Sequence, residues 1–454
     1  MSSTAFKVIL VGGGPIGLTA AHALTRANIN FVLLESRPTI AIDAGASLVL
    51  SPMGLRVLGQ LGLQEDLNQV STAVREVTRC DHSGNDLGNF FFFEHVKRNH
   101  GEYPRVVSRH DLTKLLYESL PAERRECMFP NKKVSNVTTS STGVTVSCTD
   151  GTSYDGSIII GADGAHSRVR QQMRTLAMQS SNVENIGINE ENPFLTTFRA
   201  LWLRFPTNIG LKPGLAHETH GDRLGIQLFA GEDTGVMGLY ERLPKPTQDR
   251  HRYTEEDEEA LINRWGHLPL SDGLTVRDAW NAKLYTGYVD LEEGVVEHWS
   301  WDRIVLAGDA AHKYTPSLGS GCNTGIADVV VLVNELHRML SANTAESAEK
   351  RHGEPTIEEL TTVFKTYQEA RHATVTAGCQ QSGNATAMAT WQSTFMKVFD
   401  KYVMANQSVQ KYFMNRGAIN TAKSPVLDFV YGPEPMTGAV PWVQPILPSK
   451  EVTV

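Results

Sequence analysis

The chain has 454 residues, 41% hydrophobic and 20% charged, with a formal net charge of -8. This is ordinary globular composition, long enough for a large core in one long or two intimately joined domains, and the acidic balance without a long basic run argues against a nucleic-acid binder. The five cysteines (Cys80, Cys127, Cys148, Cys322 and Cys379) are far apart with no C-x-x-C, which disfavours thiol–disulfide chemistry and a zinc ribbon, and no window approaches the ~20 apolar residues of a membrane span.

In chain order, Lys7–Val11 (KVILV) reads as a buried parallel strand, rich in β-branched residues. It runs into Gly12-Gly13-Gly14-Pro15-Ile16-Gly17, which holds the spacing G-x-G-x-x-G. A helix is predicted over Leu18–Ala27, then a second strand over Phe31–Leu34 that ends in Glu35. Gly12 allows the tight turn, Gly14 lets the backbone approach a pyrophosphate, and Gly17 permits close helix–strand packing. The helix N-terminus offers free N–H groups and partial positive charge to the phosphates. Glu35 suits an adenosine ribose with a free 2′-hydroxyl, which fits FAD or NAD and disfavours a 2′-phosphate. Arg37 reads as a solvated loop arginine.

Ser51 and Pro52 mark the start of a helix with a stripe of Leu55, Leu58 and Leu61, stopped by Gly62. The stretch Val74–Phe93 alternates loosely and ends in Phe90–Phe93, expected in a strand covered on both faces. Ser108 or His110 is expected to begin the helix Asp111–Leu120. A β-meander is expected over Val134–Val137, Val144–Cys148 and Ser153–Asp155. Ile158-Ile159-Ile160-Gly161-Ala162-Asp163-Gly164 repeats the strand-to-turn pattern, and Asp163 can orient a hydroxyl or a water, although D-G is also a common hairpin turn.

Residues 171–190 are polar and expected to form a mobile loop or lid. Strands Phe198–Phe205, Arg223–Phe229 and Thr234–Tyr240 suggest an inserted antiparallel sheet that forms a substrate wall. A helix is expected over Glu255–Trp265. Strand Arg303–Leu306 then delivers Gly308-Asp309 to a turn, followed by a glycine-spaced loop and a helix from about Thr324 to Leu340, with Asn323 or Thr324 as its N-cap. Asp309 can hold ribityl hydroxyls. His312 reads as a packed, hydrogen-bonded core histidine in preference to a catalytic base. The region Thr356–Arg416 reads as mainly helical, and its scatter of Trp391, Phe395, Met396, Phe399, Tyr402 and Met404 as core. The tail after Ser424 is expected to wrap the surface.

These three motifs, in this order, resemble the single-component FAD monooxygenases of the para-hydroxybenzoate hydroxylase fold over about Val8–Leu340. The run from Trp299 through Pro316 is most similar to fungal enzymes of meroterpenoid and indole-diterpenoid biosynthesis. Ser320 and Cys322 depart from a usual Gln and small residue, and Ala327 from an acidic residue. The resemblance implies an α/β fold: a discontinuous Rossmann-like FAD-binding domain (1–190 with 285–345), an inserted antiparallel-sheet substrate domain (191–284) and a helical C-terminal region (346–454). It implies FAD contacts from Gly12, Gly14, Gly17, Glu35, Ala46, Arg109, Asp163, Asp309, Pro316, Gly319, Gly321 and Cys322, with no metal. It also implies NAD(P)H as cosubstrate and transfer of one oxygen atom from O2 through a flavin C4a-hydroperoxide.

The resemblance implies a hydrophobic, prenylated small-molecule substrate, as several of those fungal enzymes epoxidise a prenyl-chain alkene, and the expected location is cytoplasmic, with peripheral membrane contact left open. A phenol hydroxylase is the first alternative, for which Arg199, Arg204 and Tyr240 on the substrate sheet are candidates, Arg199 and Tyr240 foremost. They read equally as exposed strand residues. A non-catalytic flavin-fold binding protein is the second.

Overall fold

The computed structural model describes residues 6–41, 45–180, 188–345 and 354–448. Lys7–Val11 lies inside a six-stranded sheet, flanked in parallel by Asn30–Leu34 and Ile158–Gly161. The sheet continues in parallel through Ile304–Leu306 on one side and Met128–Phe129 on the other, and ends in an antiparallel edge, Ser300–Trp301. Val8, Ile9 and Leu10 are wholly buried, as a strand covered on both faces requires. The helices Pro15–Arg26 and Ser320–Ala345 pack against each other beside it. Parallel strands thus carry Gly12, Asp163 and Asp309 to the same end of the sheet, where nucleotide-binding turns belong.

A seven-stranded sheet forms the second layer. Its order is His312–Lys313, Tyr285–Val295, Leu195–Pro206, Thr234–Thr247, Leu224–Ala230, Leu215–His220 and Glu76–Asp81. It is therefore wider than the inserted segment 191–284, because Glu76–Asp81 joins one edge in parallel and Tyr285–Val295 pairs along Leu195–Pro206. One face carries Leu201, Leu203, Phe205, Ile226 and Leu239 against Leu261 and Ile262 of the helix Glu255–Trp265. From the opposite face Gln227 donates to Ser317 O at 2.9 Å. The expected meander is present as Val134–Thr139, Val144–Cys148 and Ser153–Gly156.

Several local expectations are corrected. Phe90–Phe93 is not a strand: the chain turns into the helix Phe92–His100, in which Phe93 is buried while Phe91 is 41% exposed. Gly101, in the left-handed region, ends that helix by donating to Lys97 O at 2.8 Å. Residues 171–179 belong to the helix Arg168–Gln179 rather than a loop, and of the rest of that expected lid, 181–187 lie outside the described residues. Its helix is nucleated by Ser167, whose hydroxyl accepts from Arg170 N at 2.9 Å. The C-terminal region is helical over Ile357–Ala389, Thr394–Val398, Phe399–Val403 and Gln407–Thr421. Trp391 and Met404 are core, but Phe395 and Tyr402 are each 73% exposed. The tail packs as expected: Arg56, fully buried, meets Glu434 through Nη2 at 2.6 Å and Nε at 2.8 Å, and its Nη2 donates to Gln444 O at 2.5 Å.

Candidate cofactor and substrate site

The first turn is built as a diphosphate cradle. Gly12 has φ +109°, and a Cβ there would lie 2.4 Å from Ala162 O; one at Gly17 would lie 1.9 Å from Gly12 O. Neither position admits a side chain. Gly14 is the N-cap of Pro15–Arg26 with no side-chain acceptor, so the first-turn N–H groups face outward without a cap. Beside them, the Arg109 guanidinium comes within 3.7 Å of a Cβ placed on Gly14. Ser108 caps the Arg109–Glu118 helix by accepting from Asp111 N at 3.0 Å, and Arg109 N donates to Ala46 O at 3.2 Å. Uncapped helix N–H groups and a cation fit the FAD diphosphate.

Glu35 is buried at the end of Asn30–Leu34 and accepts from Gly13 N at 2.6 Å. Arg37 is its partner, not merely solvated: its backbone N donates at 2.8 Å and its Nε at 3.0 Å. Burial pushes this carboxyl up, but the hydrogen bonds from Arg37 and Gly13 outweigh it and hold Glu35 below the ordinary glutamate range. An ionised acceptor fixed in this way fits a ribose diol.

The second and third turns are tied together. Asp163 accepts from Ser167 Oγ at 2.5 Å, Arg168 N at 2.7 Å and Val169 N at 3.1 Å, so its carboxylate caps a helix. Burial pushes this carboxyl up, against those donors. Arg170 then reaches across, donating to Ala165 O at 2.6 Å and Ala310 O at 2.8 Å, which links the Asp163 and Asp309 turns. Asp309 pairs with Lys313 and is 34% exposed. Burial raises its carboxyl, but the Lys313 charge and hydrogen bond, with Arg109 adding to them, bring it below the ordinary aspartate range.

Asp328, fully buried, holds this turn from behind. It accepts from Gly308 N at 3.1 Å, His312 Nε2 at 2.5 Å and Arg371 Nε at 2.9 Å. His312 is thus a buried structural histidine, as read from the sequence. The helix after the loop begins at Ser320, four residues earlier than expected, so Asn323 and Thr324 lie inside it. Instead of capping, Asn323 accepts from Ser51 N at 2.9 Å and donates to Val49 O and Gly319 O, each at 2.8 Å. Pro316 opens a short turn ended by Gly319, at φ +59°, and a Cβ at Gly321 would lie 3.8 Å from Asp309 Oδ1. Burial pushes the Cys322 thiol up to about 12.

On the seven-stranded sheet, Arg199 and Tyr240 are not brought together. Arg199 lies opposite Glu241, and Tyr240 opposite Ala200, so pleating sends them to opposite faces. Arg199 donates to Glu241 Oε2 through Nη2 at 2.5 Å and Nε at 2.8 Å, while Arg264 and Trp265 hold Oε1 at 2.9 and 3.1 Å. This places Arg199 on the helix-covered face, away from the glycine loops. Tyr240 shares the other face with Phe198, Ala200 and Leu291. Arg204 also lies on that face, over the Tyr285 ring at 4.5 Å. Sequence reasoning missed Arg170, Asp328 and Arg371, whose partners are distant in the chain, and Gln227, which donates to Ser317 O at 2.9 Å and anchors the sheet to the Pro316 turn.

Residues 5–352 match the family model described as FAD binding domain, and the chain belongs to that family. It is an FAD-dependent monooxygenase. It is 35% identical to FAD-dependent monooxygenase srdH of Neurospora crassa, covering 82% of this chain and 83% of the relative. It is 30% identical to FAD-dependent monooxygenase DEP2 of Alternaria brassicicola, over 98% of this chain and 83% of that one. The crystal structure of Klebsiella pneumoniae HpxO complexed with FAD and uric acid superposes with a TM-score of 0.67 at 18% identity, covering 92% of this chain and 96% of HpxO. That likeness shows the fold, a flavin hydroxylase architecture of the para-hydroxybenzoate hydroxylase type.

Proposed function

We propose that this enzyme uses NAD(P)H and O2 to epoxidise or hydroxylate a small, hydrophobic, prenylated secondary metabolite. One observation carries the substrate class: Phe198, Ala200, Tyr240 and Leu291 form a buried apolar cluster on the sheet face from which Gln227 reaches Ser317 O. An apolar patch beside the Pro316 turn favours an apolar ligand.

Bound FAD supplies the redox chemistry with O2. Within this reading the chain's own residues bind and orient. Gly12, Gly14 and Arg109 take the diphosphate, Glu35 the ribose, and Asp309 the ribityl hydroxyls. Asp163 positions its turn by capping the following helix, and the first turn of Ser320–Ala345 presents backbone N–H groups toward the flavin. The apolar wall holds the substrate and excludes water.

The test is mass spectrometry after incubating the FAD-loaded enzyme with NADPH, O2 and candidate prenylated substrates. Gain of one oxygen atom with matched NADPH consumption is expected. Its position separates an alkene epoxide from a phenol, and NADPH oxidation that yields only hydrogen peroxide with every prenylated candidate would refute the substrate class.

We place the protein in the cytoplasm, in peripheral contact with anionic membrane surfaces. No helix among the described residues is long and apolar enough to cross a membrane. Phe395, Tyr402 and Tyr412 are 73%, 73% and 60% exposed. Lys411, Arg416 and Lys423 accompany them, while Lys397 and Lys401 pair with Asp222 and Asp81. Aromatic side chains with lysines suit a lipid interface. Co-sedimentation with phosphatidylserine-containing vesicles, and not with neutral ones, is expected; recovery in the supernatant of both would refute this placement.

A further inference from the structure

Glu218 is a charged residue on the face assigned to an apolar substrate. Its strand, Leu215–His220, puts it in register with Arg79 and Gln227. Glu218 Oε1 accepts from Gln227 Nε2 at 2.9 Å, the same nitrogen that donates to Ser317 O. Its Oε2 lies 3.3 Å from His220 Nε2 and 3.7 Å from Arg79 Nε. Behind these, His220 Nδ1 lies 2.8 Å from Asp400 Oδ2, Trp391 Nε1 donates to the same oxygen at 2.9 Å, and Arg79 Nη2 donates to Asp400 Oδ1.

Exposure divides the group. The side chains of Arg79 and Asp400 are 0% exposed and that of His220 4%, whereas Glu218 is 25% exposed. A cluster serving only to hold the strands together has no use for an open outermost carboxylate. Arg79 and His220 face the carboxylates Glu218 and Asp400; burial lowers the His220 imidazole, but the Asp400 charge and hydrogen bond raise it above its ordinary value. Burial raises the Glu218 carboxyl, but the His220 hydrogen bond and charge, then Arg79, bring it to about 2. It is therefore an acceptor only, with lone pairs beyond those used by Gln227 and His220.

We propose that Glu218 is the polar anchor of the substrate site, accepting a hydrogen bond from a hydroxyl or neutral N–H on an otherwise apolar substrate. Gln227 fixes the carboxylate relative to the Pro316–Cys322 loop and so fixes which end of the substrate meets the flavin edge. A cationic amine is disfavoured, because the Arg79 guanidinium already lies 3.7 Å from the same carboxylate. This inference rests on the apolar substrate reading given above.

The experiment titrates the FAD-loaded full chain with farnesol, farnesyl methyl ether and farnesylamine, read by perturbation of the flavin visible spectrum. Farnesol should bind roughly tenfold or more tighter than the ether, which cannot donate. Glu218→Gln, and Glu218→Asp, which keeps the negative charge but withdraws the carboxylate, should each reduce that preference to about threefold or less at unchanged FAD content. Equal affinity of alcohol and ether in the wild type overturns the anchor and leaves the apolar reading standing. So does a preference kept in both variants, and so does tightest binding by the amine. If no probe perturbs the flavin, the apolar reading falls and the anchor with it.

Discussion

Asp328→Asn tests how the Asp309 turn is held. Asp328 is fully buried and receives Gly308 N, His312 Nε2 and Arg371 Nε. Replacing the carboxylate with an amide leaves Arg371, itself 5% exposed, without its counter-charge, and turns an N–H toward at least one of those donors. Breaking a buried pair from one side costs ~3–5 kcal/mol. With an unfolding entropy of ~2.1 cal/mol/K per residue, a chain of 454 residues has ~0.95 kcal/mol/K, so Tm should fall by about 3–5 °C. FAD occupancy should fall too, because Gly308 N loses its acceptor. The assay is thermal unfolding with flavin content measured on the same sample. In a double-mutant cycle, Arg371→Met combined with Asp328→Asn should lose less than the two single variants together. A single variant within about 1 °C of wild type, with full flavin, would refute the reasoning.

Asp309→Ala should give a folded, largely colourless protein, since the ribityl acceptor is gone; full FAD occupancy would count against that role. Glu35→Gln should weaken FAD binding with little change in turnover at saturating FAD, read by titration of apoprotein. The pH response follows from the same group: its folded carboxyl lies below the ordinary value of about 4.5, so its stabilisation is complete above that value and is lost as pH falls through the lower folded value. Acid release of flavin should therefore show a component absent from Glu35→Gln. Arg109→Leu should raise the FAD dissociation constant roughly tenfold or more, as a lost charge-assisted contact does, and flatten its salt dependence; an unchanged constant would remove Arg109 from the diphosphate site.

The first turn was legible because its demands are local. Gly12 and Gly17 leave no room for a side chain, and their neighbours lie in the same strand–helix unit or in the repeat of that pattern. The Ser320 start was misread because Gly319 and Gly321 read as loop, whereas the helix is fixed by Asn323 bonding to Ser51, 272 positions away. Asp328 and Arg371 are 43 apart, and nothing in either's neighbourhood announces the other. The strand reading of Phe90–Phe93 followed β-propensity, but burial of Phe93 beside Val77 and Val106 favoured the helix. Alternation placed Tyr240 and Arg199 on the sheet but not on its faces, since only the pairing register separates them.

Arg56 gives the synthesis of this chain a timetable. Its guanidinium is enclosed by the C-terminal tail, through Ser424 O, Glu434, Gln444 O and the Trp442 ring, and the carboxylate that neutralises it lies 378 positions downstream. While the ribosome is still translating the helical region, the flavin-binding half presents that cation to water, and its burial and neutralisation come together when the tail docks. Nascent protein truncated ahead of Glu434 loses the cover and the counter-charge together, so the cost of the cut is the lost packing of the tail and not a buried unpaired ion.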